Sequence, residues 1–153
     1  MAANDHILGV ILAGGQSRRF GGGDKGLADL AGQAVLSRVI VGFRPQVSRL
    51  ILNVNGDASR FSGFGLETVA DGENAGLGPL SGILAAIDWQ RQHAPSCTAI
   101  ATVSTDVPFL PADLVEKLDA ARKGGVAIAT SAGRRHPTIA IWPVSIRDVI
   151  AEA

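Results

Sequence analysis

The residues with the clearest chemical potential lie in one glycine-rich stretch, LAGGQSRRFGGGDKG, at positions 12–26. It contains six glycines together with Arg18, Arg19 and Lys25. Glycine loses more backbone freedom on folding than any other residue, so a run of glycines needs a reason. Glycine lets backbone N–H groups approach an anion closely, and arginine and lysine add positive charge. The stretch therefore predicts a phosphate-binding loop.

Two common phosphate-binding motifs fit this loop poorly. The P-loop pattern G-x-x-x-x-G-K-[ST] fails, because Asp24 precedes Lys25 and a glycine follows it. GGGDKG at 21–26 matches the dinucleotide pattern G-x-G-x-x-G, but it lies well past the first apolar run and opens no clear helix. The second apolar run ends in Asn53 and Asn55 rather than in the acidic residue that this motif needs. Neither motif explains the loop.

Three polar residues follow other apolar runs: Asn53, Asp71 and Asp106. A short amide or carboxylate at such a position also suits a turn or a helix cap. In a parallel sheet, however, the carboxyl ends of the strands share one edge, where ligands bind. Together with the glycine-rich loop, these residues predict one binding site at that edge.

The elements that must position these residues follow from the apolar pattern. Six runs have the length and composition of strands: 7–12, 50–54, 65–70, 98–104, 126–130 and 138–142. Helical spacing or a helix-initiating proline predicts helices that begin near four positions: 35, 79, 111 and 144. Strands that alternate with helices indicate a three-layer α/β/α fold with a mostly parallel, Rossmann-like sheet.

Composition limits the class of protein. The chain has 153 residues, 46% of them apolar and 18% charged, which is typical of one globular domain over 1–153. Lys+Arg and Asp+Glu both number 14, so the net charge favours neither nucleic acid nor a membrane surface as a partner. Cys97 is the only cysteine, which excludes an intrachain disulfide and favours a cytoplasmic location. No apolar run approaches the ~18 residues of a membrane span.

The glycine-rich loop resembles the signature L-A-G-G-x-x-x-R-x-G-x-D-K of molybdenum cofactor guanylyltransferases. The matching residues are LAGG at 12–15, Arg19, Gly21 or Gly22, and Asp24 with Lys25, with one extra residue before Asp-Lys. Further matches follow in the order of the family: Asn53, Asp71, GPLSG at 78–82, Asp106 in STDVP at 104–108, and HPTIA at 136–140. The resemblance covers nearly the whole chain and implies a fold of the nucleotide-diphospho-sugar transferase type.

The resemblance implies transfer of GMP from Mg-GTP to the phosphate of molybdopterin, with release of pyrophosphate. The implied nucleotide-binding residues are Leu12, Ala13, Gly14, Gly15, Lys25, Asn53, Asp71 and Asp106. In related transferases the Gly-Gly pair is associated with guanine. Asp71 would accept hydrogen bonds from the N1–H and amino group of guanine, and Asn53 would hold the base or the ribose.

The resemblance also implies catalytic and acceptor-binding residues. Arg19 and Lys25 would contact phosphate groups, and Asp106 would bind Mg²⁺, a hard cation that prefers oxygen ligands. The implied acceptor-binding residues are Gly22, Gly78 and Gly82. His136 is expected to be a packed or surface residue without a catalytic role.

Family members continue past the position of Ala153 through an N-x-N-T-P element, which is thought to help hold the pterin. We therefore expect a chain that lacks the C-terminal part of the family fold, either truncated or reduced. Two other functions stay open: a nucleotidyltransferase for CTP or a sugar phosphate, which Gly15 and Asp71 disfavour, and a non-catalytic nucleotide-binding module. Transient contacts with proteins that deliver or receive the cofactor are also implied.

Overall fold

The computed structural model describes residues 6–13, 29–30, 33–54, 61, 63–70, 79–105, 110–131 and 133–151. The strands in these ranges are β1 (Ile7–Leu12), β2 (Asp29–Leu30), β3 (Gln33–Ala34), β4 (Arg49–Asn53), β5 (Glu67–Val69), β6 (Ala99–Ser104), β7 (Ala127–Ser131) and β8 (Arg134–Pro143). The α-helices are α1 (Val35–Phe43), α2 (Pro79–His93), α3 (Leu114–Arg122) and α4 (Arg147–Ala151). Short 3-10 turns at Arg44–Gln46 and Val144–Ile146 complete the described elements.

Six of these strands form one sheet in the order β5-β4-β1-β6-β8-β7. Strand β1 pairs in parallel with β4 and with β6, and β4 pairs in parallel with β5. Within this described sheet, β8 alone runs opposite to the other five strands. The prediction of a mostly parallel sheet is therefore confirmed. Strands β2 and β3 form a separate two-stranded hairpin.

Apolar side chains cover both faces of the sheet. Successive residues of a strand point to opposite faces. Ile7 and Ile11 of β1 consequently pack in the core beneath α1 and α3, whereas Leu8 and Val10 pack in the core beneath α2 and α4. This arrangement explains why β1 reads as a continuous apolar run, and it confirms the three-layer α/β/α architecture.

Prolines mark the helix boundaries. Helix α2 begins at Pro79 as predicted, and α1 ends at Phe43, just before the 3-10 turn that contains Pro45. The helix predicted to open at Pro111 begins later, at Leu114. The reason is a preceding turn, in which the Pro111 carbonyl accepts a hydrogen bond from the Leu114 N–H at 3.2 Å.

Strand β8 is longer than the strand predicted over 138–142, because it begins at Arg134. The register between β7 and β8 shifts between Ile128 and Ala129, so that residues 137–139 of β8 have no counterpart in the ladder with β7. A bulge of this kind interrupts the period-two alternation by which a strand is recognised in a sequence. The first half of β8 was therefore missed.

Helix α4 is held on the sheet by packing and by charge. Ile150 is buried in the core that α2 also covers. Arg147 forms a two-point ion pair with Asp88 of α2, with distances of 2.5 Å from Nε to Oδ1 and 3.2 Å from NH2 to Oδ2. The hydrogen bond and the charge of Asp88 raise the pKa of Arg147 above its ordinary value. The helix predicted to begin near residue 144 is thus present, preceded by a 3-10 turn.

Candidate functional site

Three strand ends lie side by side at the carboxyl edge of the sheet. Leu12, the last residue of β1, pairs with Asn53 of β4 on one side and with Ser104 of β6 on the other. From these residues the chain continues into the glycine-rich loop, into the segment after β4, and into the segment that contains Asp106. The fold therefore brings together the points at which these segments begin.

The structure describes some of the predicted site residues and not others. Those within the described ranges are Leu12, Ala13, Asn53 and Gly82. Those outside the described residues are Gly14, Gly15, Arg19, Gly22, Lys25, Asp71, Gly78 and Asp106. The chemical roles of both groups stay predictions, but the described residues show how the chain is held at the edge.

Asn53 ties together three segments at this edge. Only 2% of Asn53 is exposed, and its Nδ2 donates a hydrogen bond to the carbonyl of Val69, at the end of β5, at 3.1 Å. The Asn53 carbonyl accepts a hydrogen bond from the Ala13 N–H at 2.8 Å. The Val69 carbonyl also accepts the N–H of Val54 at 3.0 Å, so both of its lone pairs are used. Ala13 leads into the glycine-rich loop and Val69 into Asp71, so Asn53 holds the origins of both segments.

Gly82, near the start of α2, packs directly against the side chain of Asn53. A Cβ atom on Gly82 would overlap Asn53 Oδ1, and it would lie 2.9 Å from both Asn53 Cγ and Leu12 Cδ2. Real Cβ atoms do not approach other atoms so closely, so only glycine fits without a rearrangement. The absence of a side chain lets α2 lie against the ends of β1 and β4.

The β7–β8 hairpin brings two arginines to the same edge, and the sequence analysis did not select them. Ile128 of β7 is level with Thr102 of β6, because both residues pair with Ala140. Arg134 and Arg135 pair with the last two residues of β7 and therefore lie at the carboxyl edge. Both arginines are exposed, and neither forms an ion pair with any residue that the structure describes. Adjacent arginines in a hairpin were the available signal, but the predicted strand began after them.

The described residues do not form a metal centre by themselves. Within the described ranges, no group of three or more His, Cys, Asp or Glu side chains could hold a metal ion. The predicted ligand, Asp106, follows the end of β6 at Ser104, next to the strand that leads into the glycine-rich loop. Carboxylate oxygens are ligands that divalent cations such as Mg²⁺ prefer, so Asp106 stays the predicted ligand of such an ion.

Comparison with known sequences shows the family to which the chain is similar. Residues 9–153 match the family model of the MobA-like NTP transferase domain. The chain is 50% identical, over 147 residues, to the molybdenum cofactor guanylyltransferase of Mesorhizobium japonicum (strain LMG 29417 / CECT 9101 / MAFF 303099). This alignment covers 94% of the chain and 70% of the relative.

Solved structures share the fold. The molybdopterin-guanine dinucleotide biosynthesis protein A of Archaeoglobus fulgidus matches with a TM-score of 0.73 at 24% identity, over 95% of this chain and 72% of that chain. A homologue of a Mycobacterium tuberculosis protein, from Mycobacterium sp. strain JC1, matches with a TM-score of 0.78 at 26% identity, over 98% of this chain and 76% of that chain. From the family model and the curated relatives, the chain belongs to the molybdenum cofactor guanylyltransferase family of MobA-like nucleotidyltransferases.

Proposed function

We propose that this chain transfers GMP from GTP to the terminal phosphate of molybdopterin. A phosphate oxygen of the acceptor attacks the α-phosphorus, the bond from the α-phosphorus to the bridging oxygen breaks, and pyrophosphate leaves. The observation that supports this best is the meeting of Leu12, Asn53 and Ser104 at one edge, in a chain whose curated relatives carry the name molybdenum cofactor guanylyltransferase.

The order of the strands sets the order of the proposed binding groups along the edge of the sheet. Asp71 follows β5 and is proposed to select guanine. The loop after β1, with Lys25, would hold the triphosphate, and Asp106 after β6 would hold the metal. Strand β8 lies beyond β6, so Arg134 lies at the side of the sheet away from β5. This arrangement runs from the base through the phosphates to the acceptor along the edge of the sheet.

The chain's own residues act in this proposal by positioning and by neutralising charge. Phosphoryl transfer needs little covalent chemistry from a protein, so oriented phosphates and fixed positive charge supply most of the acceleration. Arg19 and Lys25 would neutralise phosphate oxygens as charge moves onto the leaving pyrophosphate. Members of this family use a divalent metal ion, and we propose Mg²⁺, held by Asp106 and by phosphate oxygens.

Selective binding of GTP tests this function. Isothermal titration calorimetry with Mg-GTP, Mg-CTP and Mg-ATP should show that GTP binds most tightly. The Asp71→Ala variant should bind GTP about 10- to 100-fold more weakly, because it loses two hydrogen bonds from guanine to a charged acceptor. Asp148→Ala is a matched control, since the Asp148 side chain is 83% exposed on α4.

Other results with these nucleotides would point to another function. Tighter binding of CTP would contradict the guanylyltransferase assignment and favour a sister nucleotidyltransferase. Binding of GTP without release of pyrophosphate when molybdopterin is supplied would favour a non-catalytic module. No binding of any nucleotide would refute the proposed site.

The arginines of the β7–β8 hairpin are expected to serve the acceptor. Replacing Arg134 and Arg135 with alanine should raise the KM for molybdopterin roughly 3- to 10-fold, because exposed ion pairs contribute about 0.2–1 kcal/mol each. The Kd for Mg-GTP should not change. Arg44 and Arg91 offer a matched double control, since both are exposed on other elements. Equal kinetic effects of the two double variants would contradict the prediction.

A cytoplasmic location and transient contacts with cofactor-handling proteins complete the proposal. Cys97 is buried and free, which suits a reducing compartment. None of the described helices is long and apolar enough to cross a membrane. The balanced net charge favours small-molecule substrates over nucleic acid.

A further inference from the structure

The contact between Gly82 and Asn53 joins two parts of the proposed site that the sequence treats separately. Gly82 belongs to the helix after the proposed acceptor segment, whereas Asn53 holds the strand end that leads to Asp71. We propose that Gly82 is a positioning residue for the nucleotide: its missing side chain lets α2 hold the Asn53 amide in the orientation that anchors β5. This inference rests on the proposed function.

Backbone conformation does not explain the glycine. Gly82 lies inside α2, and it is not among the described glycines with a positive φ, which are Gly65, Gly124 and Gly133. Alanine would favour a helix more than glycine does at such a position. The close approach to Asn53 and Leu12 is the remaining reason for a residue without a Cβ atom.

The orientation of the Asn53 amide matters because the residue is buried. Its Nδ2 donates to the carbonyl of Val69, and a rotated amide would lose this hydrogen bond in a place away from water. A methyl group on Gly82 would push directly on Oδ1 and Cγ of the amide. The resulting movement would reach Val69, and Val69 stands two residues before Asp71 in the chain. A substitution on the acceptor side is thus expected to weaken binding on the nucleotide side.

A double-mutant cycle on Mg-GTP binding, measured by calorimetry without any acceptor, tests this inference. Gly82→Ala should raise the Kd about tenfold, since a displaced end of β5 would weaken the hydrogen bonds from guanine to the charged acceptor proposed at Asp71. Asn53→Ala should also raise the Kd, and the double variant should bind no more weakly than the weaker of the two single variants. Effects that act through one contact are not additive, whereas independent effects add.

Gly42→Ala is the matched control for this cycle. Gly42 also lies in a helix, α1, but a Cβ atom there would make an ordinary contact of 3.6 Å with Leu110 Cβ. This variant should bind Mg-GTP like the wild type. Thermal unfolding of every variant separates loss of binding from loss of folding. If Gly82→Ala does not fold, the double variant should fold, because the Asn53 amide is gone and the remaining close contact, Leu12 Cδ2, is the end of a flexible side chain that can move.

Four results would overturn the inference. The first two concern Gly82→Ala: an unchanged Kd for Mg-GTP with only a raised KM for molybdopterin, or an unchanged Kd with only a lowered Tm. The third is that the effects of Gly82→Ala and Asn53→Ala on the Kd add in the double variant. The fourth is that the double variant does not fold. Failure of the proposed function looks different, because the wild type would then prefer another nucleotide, and the cycle is judged on that nucleotide. A wild type that binds no nucleotide refutes both.

Discussion

Replacing Asp106 with asparagine is expected to lower kcat for GMP transfer by about 100- to 1000-fold, the loss typical when one electrostatic contact to a transition state is removed. The amide keeps the shape of the side chain but loses the negative charge that would hold the divalent cation beside the phosphates. Pyrophosphate release at saturating GTP and molybdopterin measures kcat. Raising the Mg²⁺ concentration should recover part of the rate.

Asp113→Asn is the matched control for this prediction. Asp113 lies just before α3, and its half-exposed carboxylate forms an ion pair with Lys117 at 3.1 Å. Exposed pairs of this kind contribute little, so kcat should stay within about twofold of the wild type. A kcat for Asp106→Asn that equals the kcat of this control would remove Asp106 from the proposed metal site.

Replacing Gln46 with alanine is expected to lower the free energy of unfolding by about 2–4 kcal/mol, because several buried polar groups lose their partner at once. Gln46 is 7% exposed. Its Nε2 donates hydrogen bonds to the carbonyls of Gly42 (2.8 Å) and Pro111 (2.9 Å). Its Oε1 accepts the N–H of Val115 at 2.9 Å. Gln46 thereby joins the end of α1 to the start of α3, and urea unfolding measures the loss.

Gln92→Ala is the corresponding control, since Gln92 is an exposed residue of α2. Its free energy of unfolding should stay within about 0.5 kcal/mol of the wild type. Equal values for the two variants would mean that the hydrogen bonds of Gln46 add nothing to stability. Gln46→Ala leaves every predicted site residue in place. We therefore expect kcat to fall in proportion to the unfolded fraction and no further.

Local patterns in the sequence predicted most of the elements because the physical causes of these elements are local. The continuous apolar run of β1 requires cover on both faces, and Pro79 is compatible with the first turn of a helix. The carboxyl edge followed from these elements, since parallel strands that alternate with helices end on the same side. Leu12, Asn53 and Ser104 are indeed neighbours there.

Features that depend on distant residues could not be predicted in the same way. Gln46 bonds to Pro111 and Val115, and no spacing rule connects residues so far apart. The close approach of Gly82 to Asn53 depends on how a helix docks on a sheet, and a lone glycine in a helical pattern does not reveal its neighbour. The roles of Lys25, Asp71 and Asp106 came from resemblance to a family and stay predictions.

The central position of β1 has a consequence for how the chain folds. Ile7 at the start of β1 pairs with Ala99 at the start of β6, so the two strands are separated by most of the described chain. Closing so long a loop costs conformational entropy before any contact repays it, which slows folding. During synthesis β1 leaves the ribosome before both of its neighbours in the sheet, and it gains the second of them only when β6 follows. We therefore expect the edge at which Leu12, Asn53 and Ser104 meet to form late, and β1 to keep one unpaired side until then.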